Sequence, residues 1–302
     1  MTKRILCPVD FSEQSVHALN YAVALAHWLG ASVTTLYVHQ MMWPIVGIGA
    51  YADPAGTPPL SEAERATVMA ELTRCSQAAA APGVSIESVV SEGVNVPATI
   101  LAHAASMSAD LIVIGTQGHS GFERLVLGSV AERVLRKASC PVVTVSPQTP
   151  PEALAVPTPA RPVICAVDLS SSSPAALRWA STLAVKAGAG LLVVHVAELP
   201  LEAPAPPSPE WAAVRDRLVG AARERLDALT AEAAKPPPFD QRIVMGRPHD
   251  EILRLAGQEH AGLIVMGVRG RSAVDMTIFG SVTRQVVRRA TCPVLTVHPD
   301  RA

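Results

Sequence analysis

Aromatic residues are scarce. Four Phe, four Trp and three Tyr make up 4% of the 302 residues, so the interior has to be built from Val, Ile, Leu and Ala, the residues that helix-covered parallel sheets bury. No CxxC pair is present, and the five cysteines, Cys7, Cys75, Cys140, Cys165 and Cys292, are odd in number. Both facts argue against a secreted disulfide framework and against a zinc site. No apolar run approaches the ~18 residues that a membrane-spanning helix needs. The most apolar stretch, from Met41 to Ala52, is interrupted by Pro44, Gly47 and Gly49, and the leading MTKRILCPVD reaches Asp10 before any signal-like apolar region develops. Charge of one sign is missing too: 25 basic against 26 acidic residues leave a net −1, which excludes a whole-chain nucleic-acid or anionic-membrane footprint. The expectation is a cytoplasmic, soluble chain with neither nucleic acid nor membrane as partner.

What is present is 49% apolar residues, enough for real cores, and a length that at roughly 150 residues per domain suggests two of them. The chain repeats itself once. ILCPVDFS, containing Asp10, matches VICAVDLS, containing Asp168; GTQGHSGFERLVLGSV from Gly115 matches GVRGRSAVDMTIFGSV from Gly267; SCPVVTVSP from Ser139 matches TCPVLTVHP from Thr291. The blocks keep their order, and the register between copies changes only between blocks, where loops absorb it. The division predicted is a first domain over 1–147, a Pro-rich spacer over 148–160 and a second domain over 161–302. The prolines of the spacer favour an extended chain and prevent a continuing helix.

Each copy reads as strand and helix in alternation. A buried strand (Ile5 to Val9; Val163 to Val167) leads into an Ala- and Leu-rich helix (Ser15 to Leu29; Pro174 to Ala187) that ends at Gly30 or Gly188, a residue suited to a left-handed cap. A second strand (Ser32 to Val38; Gly190 to Val196), a Pro-rich loop, a long helix and a third strand (Val84 to Ser91; Phe239 to Met245) follow. Then come a short helix, a continuous apolar strand (Leu111 to Gly115; Leu263 to Gly267), a helix from Ser129 or Ser281, and a last strand after Cys-Pro. Right-handed crossovers and a parallel sheet are implied, which makes each half an α/β sandwich of about five strands.

In such sheets ligands sit beyond the carboxyl ends of the strands, where the winding reverses. There both copies carry G-x2-G-x9-G-S: Gly115, Gly118, Gly128 and Ser129, then Gly267, Gly270, Gly280 and Ser281. Glycines let backbone approach a ligand, and the Gly-Ser pair opens a helix whose free N–H groups and dipole favour an anion. The implied chemistry is a phosphate cradle. It is not a Walker loop, because no GK[ST] follows, and the first strand-to-helix turn reads CPVDFS or CAVDLS rather than GxGxxG, which disfavours a nicotinamide enzyme.

This spacing, found twice and joined to an Asp at the end of the first strand, resembles the nucleotide-binding branch of the universal stress protein family over nearly the whole chain. The resemblance implies two tandem Rossmann-like sandwiches, each a five-stranded, mostly parallel sheet with helices on both faces. It implies ATP or ADP as ligand, with or without magnesium. The first site would comprise Pro8, Val9, Asp10, Val38, Ile114, Gly115, Gly118, Gly128, Ser129 and Val130. The second would comprise Ala166, Val167, Asp168, Val196, Met266, Gly267, Gly270, Gly280, Ser281 and Val282. In the second copy Ala166 replaces Pro8, Val268 replaces Thr116, and Arg269 and Arg271 replace Gln117 and His119, so the two affinities are expected to differ.

Plainer roles compete for the same residues. Asp10 and Asp168 are also good caps for the following helix or turn, the glycines good turn residues, the cysteines good small hydrophobes, and His119 a good solvent-facing loop residue. Arg124 suits a surface ion pair as well as a phosphate contact. No catalytic residue and no metal-ligand cluster is shared by the copies, so the expected role is a nucleotide-dependent stress-response or signalling regulator with an unknown regulatory protein partner. Two alternatives stay open: a slow ATPase, and a nucleotide-free interaction module acting through its last strands and the Pro-rich loops at 41–60 and 199–209. Those last strands, PVVTVSP and PVLTVHP, are expected at a sheet edge, where they could join the repeats or form a homodimer of tandem chains.

Overall fold

The structure, a computed structural model, describes residues 4–42, 56–118, 127–198, 208–231, 239–268 and 280–299. Two compact units divide the chain, Met1–Val145 and Ser146–Ala302.

In the first unit β1 (Arg4–Pro8) leads into α1 (Glu13–Leu29), and β2 (Ser32–Gln40), α2 (Glu62–Ala79), β3 (Ile86–Gly93), α3 (Val96–Ser106), β4 (Leu111–Gly115), α4 (Ser129–Lys137) and β5 (Val142–Val145) follow. All pairings are parallel, in the order β3-β2-β1-β4-β5. The second unit repeats the scheme with β6 (Val163–Ala166), α5 (Ser173–Ala187), β7 (Leu191–Ala197), α6 (Pro209–Ala231), β8 (Phe239–Met245), α7 (Pro248–Gln258), β9 (Leu263–Gly267), α8 (Ser281–Arg289) and β10 (Val294–Val297). Its parallel order is β10-β9-β6-β7-β8. The α/β fold with two like halves, expected from the alternation of strand and helix, is therefore the one observed. In each unit the winding runs outward from the first strand one way and then resumes on its other side, so the reversal lies between β1 and β4, and between β6 and β9.

Local chemistry sets the element ends. Ser12 caps α1 by accepting from Ser15 N, and Gly30 closes it at φ 67°, as Gly188 closes α5 at φ 58°. A reciprocal Ser61–Glu64 capping box starts α2. β3 begins at Ile86 rather than Val84 because Val84 N donates to Ala81 O in a turn that needs Gly83 at φ 78°. The proline-rich stretch is not extended throughout: Pro151–Leu154 forms one 3-10 turn, and Arg161 reaches the carbonyls of Glu152 and Ala153.

Aliphatic side chains fill both cores. Ile5, Leu6, Leu19, Ile112, Ile164 and Val265 are fully buried, and Tyr21 is the one aromatic among the largest fully buried side chains. At ~1.5–3 kcal/mol for each fully buried aliphatic side chain, these rows stabilise the sheets. Where α2 crosses the sheet, the Thr35, Ser76 and Ser88 hydroxyls lie 3.1 Å from one another and satisfy each other's polarity.

Candidate functional site

The chain leaves β1 through Val9, whose N–H donates to Leu36 O at 2.9 Å, and then turns sharply at Asp10. The turn is strained: Phe11 sits at φ 66°, a left-handed conformation that side chains bearing a Cβ rarely adopt. Asp10 holds it, its Oδ1 accepting from Ser12 N at 3.0 Å and from Ser12 Oγ at 2.5 Å. The second unit repeats the device. Leu169 stands at φ 62°, and Asp168 Oδ1 accepts from Ser170 N and Ser173 Oγ at 3.0 and 3.1 Å. Both aspartates therefore do fix the entry to the following helix, and the same bonds orient their carboxylates.

The glycines explain themselves by crowding, not by turn geometry, since Gly115, Gly118 and Gly128 are absent from the positive-φ positions. A Cβ on Gly115 would stand 3.0 Å from Gln14 O, one on Gly128 3.0 Å from Thr116 O, and one on Gly118 2.3 Å from Asp10 Oδ2. The backbone at Gly118 is thus pressed against the Asp10 carboxylate. The excursion after β4 closes at its base, where Gly128 N donates to Thr116 O at 2.7 Å. Gly128 then opens α4 without any side-chain cap, and the first-turn amides of a helix have no partner within it.

These pieces surround a cavity of about 270 Å³. All ten residues predicted for the first site line it: Pro8, Val9 and Asp10 from the end of β1, Val38 from β2, Ile114 and Gly115 from β4, Gly118, and Gly128, Ser129 and Val130 from the start of α4. Sequence reasoning missed Ser15, Leu36, Val96, Ile100 and Ala131, and it weighed Thr116 and Gln117 only as differences between copies. Val96 and Ile100 are four residues apart, on one face of α3. The apolar part of the lining comprises Leu36, Val38, Val96, Ile100 and Ile114. The polar part comprises Asp10, Ser15, Thr116, Gln117 and Ser129, and Asp10 is the one ionisable side chain among the described lining residues. Among the described residues no group of three or more His, Cys, Asp or Glu could hold a metal ion.

Behind Asp10, Phe11 stacks on Tyr37 with ring centroids 5.0 Å apart. Burial, then the negative charges of Asp10 and Glu71, push the Tyr37 phenol above its ordinary range. The corresponding residue of the second copy is His195, buried, with Nδ1 2.8 Å from Val167 O.

In the second unit Ala166, Val167 and Met266 are buried, Asp168, Val196, Gly267, Gly280 and Val282 half-buried, and Ser281 exposed. β6 carries Ala166 beside Val194 of β7 and Met266 of β9, and Gly280 N donates to Val268 O at 3.1 Å, which repeats the closure of the first unit. Gly280 likewise opens α8 with no side-chain cap. Gly270, Arg269 and Arg271 lie outside the described residues, as do His119, Arg124 and most of the two Pro-rich loops. The thiols are structural: Cys7, Cys165 and Cys292 are buried, and desolvation pushes Cys165 and Cys292 up to about 12, and half-buried Cys140 to about 11. Among the described residues no helix is long and apolar enough to cross a membrane.

Known proteins share this arrangement. A universal stress protein of Mycolicibacterium smegmatis is 28% identical over 98% of this chain and 97% of its own length. One from Methanocaldococcus jannaschii is 38% identical over 47% of this chain and 81% of its own length. The crystal structure of a universal stress protein from Archaeoglobus fulgidus covers 98% of this chain and 96% of that one, at a TM-score of 0.63 and 24% identity, which shows a common fold. The sequence model of the universal stress protein family matches residues 1–146 and again residues 159–298. With both halves matched, the chain belongs to the universal stress protein family, in its tandem two-domain form.

Proposed function

We propose that the first unit binds an adenine nucleotide, ATP or ADP, and that the protein acts as a nucleotide-dependent regulator in a stress response. The observation that carries this reading is the convergence on one cavity of an apolar slot, an oriented carboxylate and an uncapped, glycine-opened helix. The donor set fits the ligand part by part. The slot between Val38 and Ile100 suits a flat, apolar-faced base. Asp10, an acceptor when ionised, suits ribose hydroxyls. The first amides of α4 and the Ser129 hydroxyl suit phosphate, with the positive end of the helix dipole behind them. A cavity of about 270 Å³ suits the nucleoside end, and the phosphates would lie along α4.

When bound, the nucleotide supplies a change of charge and of contacts at the ends of β1, β4 and α4, and phosphates able to carry magnesium. This chain's own residues bind and orient; with Asp10 the single ionisable group in the described lining, the set supports binding over turnover. The second unit has the same turn and the same helix opening, and Ala166, Val167, Asp168, Val196, Met266, Gly267, Gly280, Ser281 and Val282, with Gly270, form the second site in this reading. Equilibrium binding of labelled ATP to the purified chain tests it. Saturable binding that unlabelled ADP competes away is the expected result, and no saturable binding with magnesium present would overturn it.

A further inference from the structure

The outermost strand of the second unit carries a pattern that the nucleotide reading does not use. Among the described residues β8 pairs with β7 alone. Gly246 N donates to Ala197 O, so even-numbered residues of β8 turn their backbone groups toward β7. By alternation Phe239, Gln241, Ile243 and Met245 turn theirs outward. Among the described residues none hydrogen-bonds these outward groups. An edge of this kind is a template for another strand.

Its side chains are self-complementary. Laid antiparallel against a copy of itself about Gln241, the segment Phe239-Asp240-Gln241-Arg242-Ile243 puts Asp240 opposite Arg242 twice, and Phe239 opposite Ile243 twice. Facing residues have the same parity, so a two-fold axis normal to the sheet keeps each on its own face. Gln241 would exchange both backbone bonds with its twin. Asp240 and Arg242 would then form non-hydrogen-bonded pairs, in which facing side chains lie closest. Asp240 is exposed, and Arg242 holds Glu259 through one nitrogen at 2.6 Å, while a guanidinium has five donors. The outer strand of the first unit has no such register. The charged residues of β3 are Glu87 and Glu92, both negative, and Glu92 is already paired with Arg65.

We infer that two copies of this chain associate through antiparallel pairing of β8, with Asp240 of each facing Arg242 of the partner subunit. The inference is independent of nucleotide binding. Sedimentation velocity of the full chain across the micromolar range tests it. A dimer is expected, and Asp240→Arg, which sets two cations opposite each other at both ends, should weaken it by about tenfold or more. Gln241→Pro should abolish it with the fold intact, because the N–H it removes points away from β7. The exchange Asp240→Arg with Arg242→Asp should recover the dimer, and Glu87→Arg on β3 should leave it unchanged. Circular dichroism verifies that each variant is folded. A wild-type chain that stays monomeric overturns the inference, and so does a dimer indifferent to both Asp240→Arg and Gln241→Pro.

Discussion

Gly118 and Gly115 are both crowded, but by different neighbours, and the difference separates binding from stability. A methyl on Gly118 meets a side chain, Asp10 Oδ2 at 2.3 Å. The Asp10 carboxylate can shift only by disturbing its two bonds to Ser12. Gly118→Ala should therefore weaken nucleotide binding by about tenfold or more, ~1.4 kcal/mol, and cost about 0.5–1 kcal/mol of stability through the weakened Asp10–Ser12 bonds. A methyl on Gly115 meets backbone, Gln14 O at 3.0 Å, which cannot rotate away. Gly115→Ala should cost about 1–3 kcal/mol of folding stability, as overpacking does. Urea denaturation and ATP titration of both variants check the contrast; equal stability loss in the two would contradict it. The spacing of these glycines was legible in the sequence, but the reason for them was not. Glycine was expected there to admit a ligand, whereas each missing Cβ makes room for an atom of the protein itself, and that depends on which strand or turn lies behind. The left-handed Phe11 and Leu169 were equally hidden, because neither residue type favours that conformation, and it is held by Asp–Ser hydrogen bonds that only the folded turn reveals.

At the scale of elements, β4, β9, α4 and α8 begin where the sequence places them, since Gly-Ser openings and unbroken apolar runs are local signals. The lining contributed by α3 is a tertiary fact: Val96 and Ile100 reach the cavity because α3 packs beside β2, and no local pattern says which face of a helix meets a ligand. The strands that carry cysteine make a prediction of their own. In the folded state burial raises Cys165 of β6 and Cys292, which precedes β10, to about 12 from 9.0. The neutral thiol is the form that the fold favours, so the stability it contributes is fully present below about pH 9 and is lost as pH rises toward 12. Between about pH 9 and 11 the loss should be on the order of 2 kcal/mol per thiol. The urea midpoint of a Cys165→Ala, Cys292→Ala variant should fall less steeply over that range than that of the wild type, and parallel declines would refute the assignment.

For the whole molecule, duplication is the feature that the sequence shows most openly, yet the two copies are not equivalent where it matters for occupancy. Thr116 lines the first cavity, and its counterpart is Val268, whose N–H makes the same bond, to Val297 O, but which has no hydroxyl to offer. Ala131 lines the first cavity too, and its counterpart is Thr283, buried in the first turn of α8 with its hydroxyl given to Gly267 O at 3.0 Å. The second copy thus loses a polar group beside the place proposed for phosphate and carries a bulkier side chain where the first has Ala131. If a single nucleotide is retained per chain, it should occupy the first unit. Native mass spectrometry of the purified chain reads this directly: Asp10→Ala should release the nucleotide and Asp168→Ala should not. The reverse pattern would place it in the second unit and refute the argument. Thr283→Ala, which restores the residue found in the first copy, should raise second-site occupancy toward two nucleotides per chain at saturating ATP, because it removes bulk without touching the Gly280 amide or the Asp168 turn.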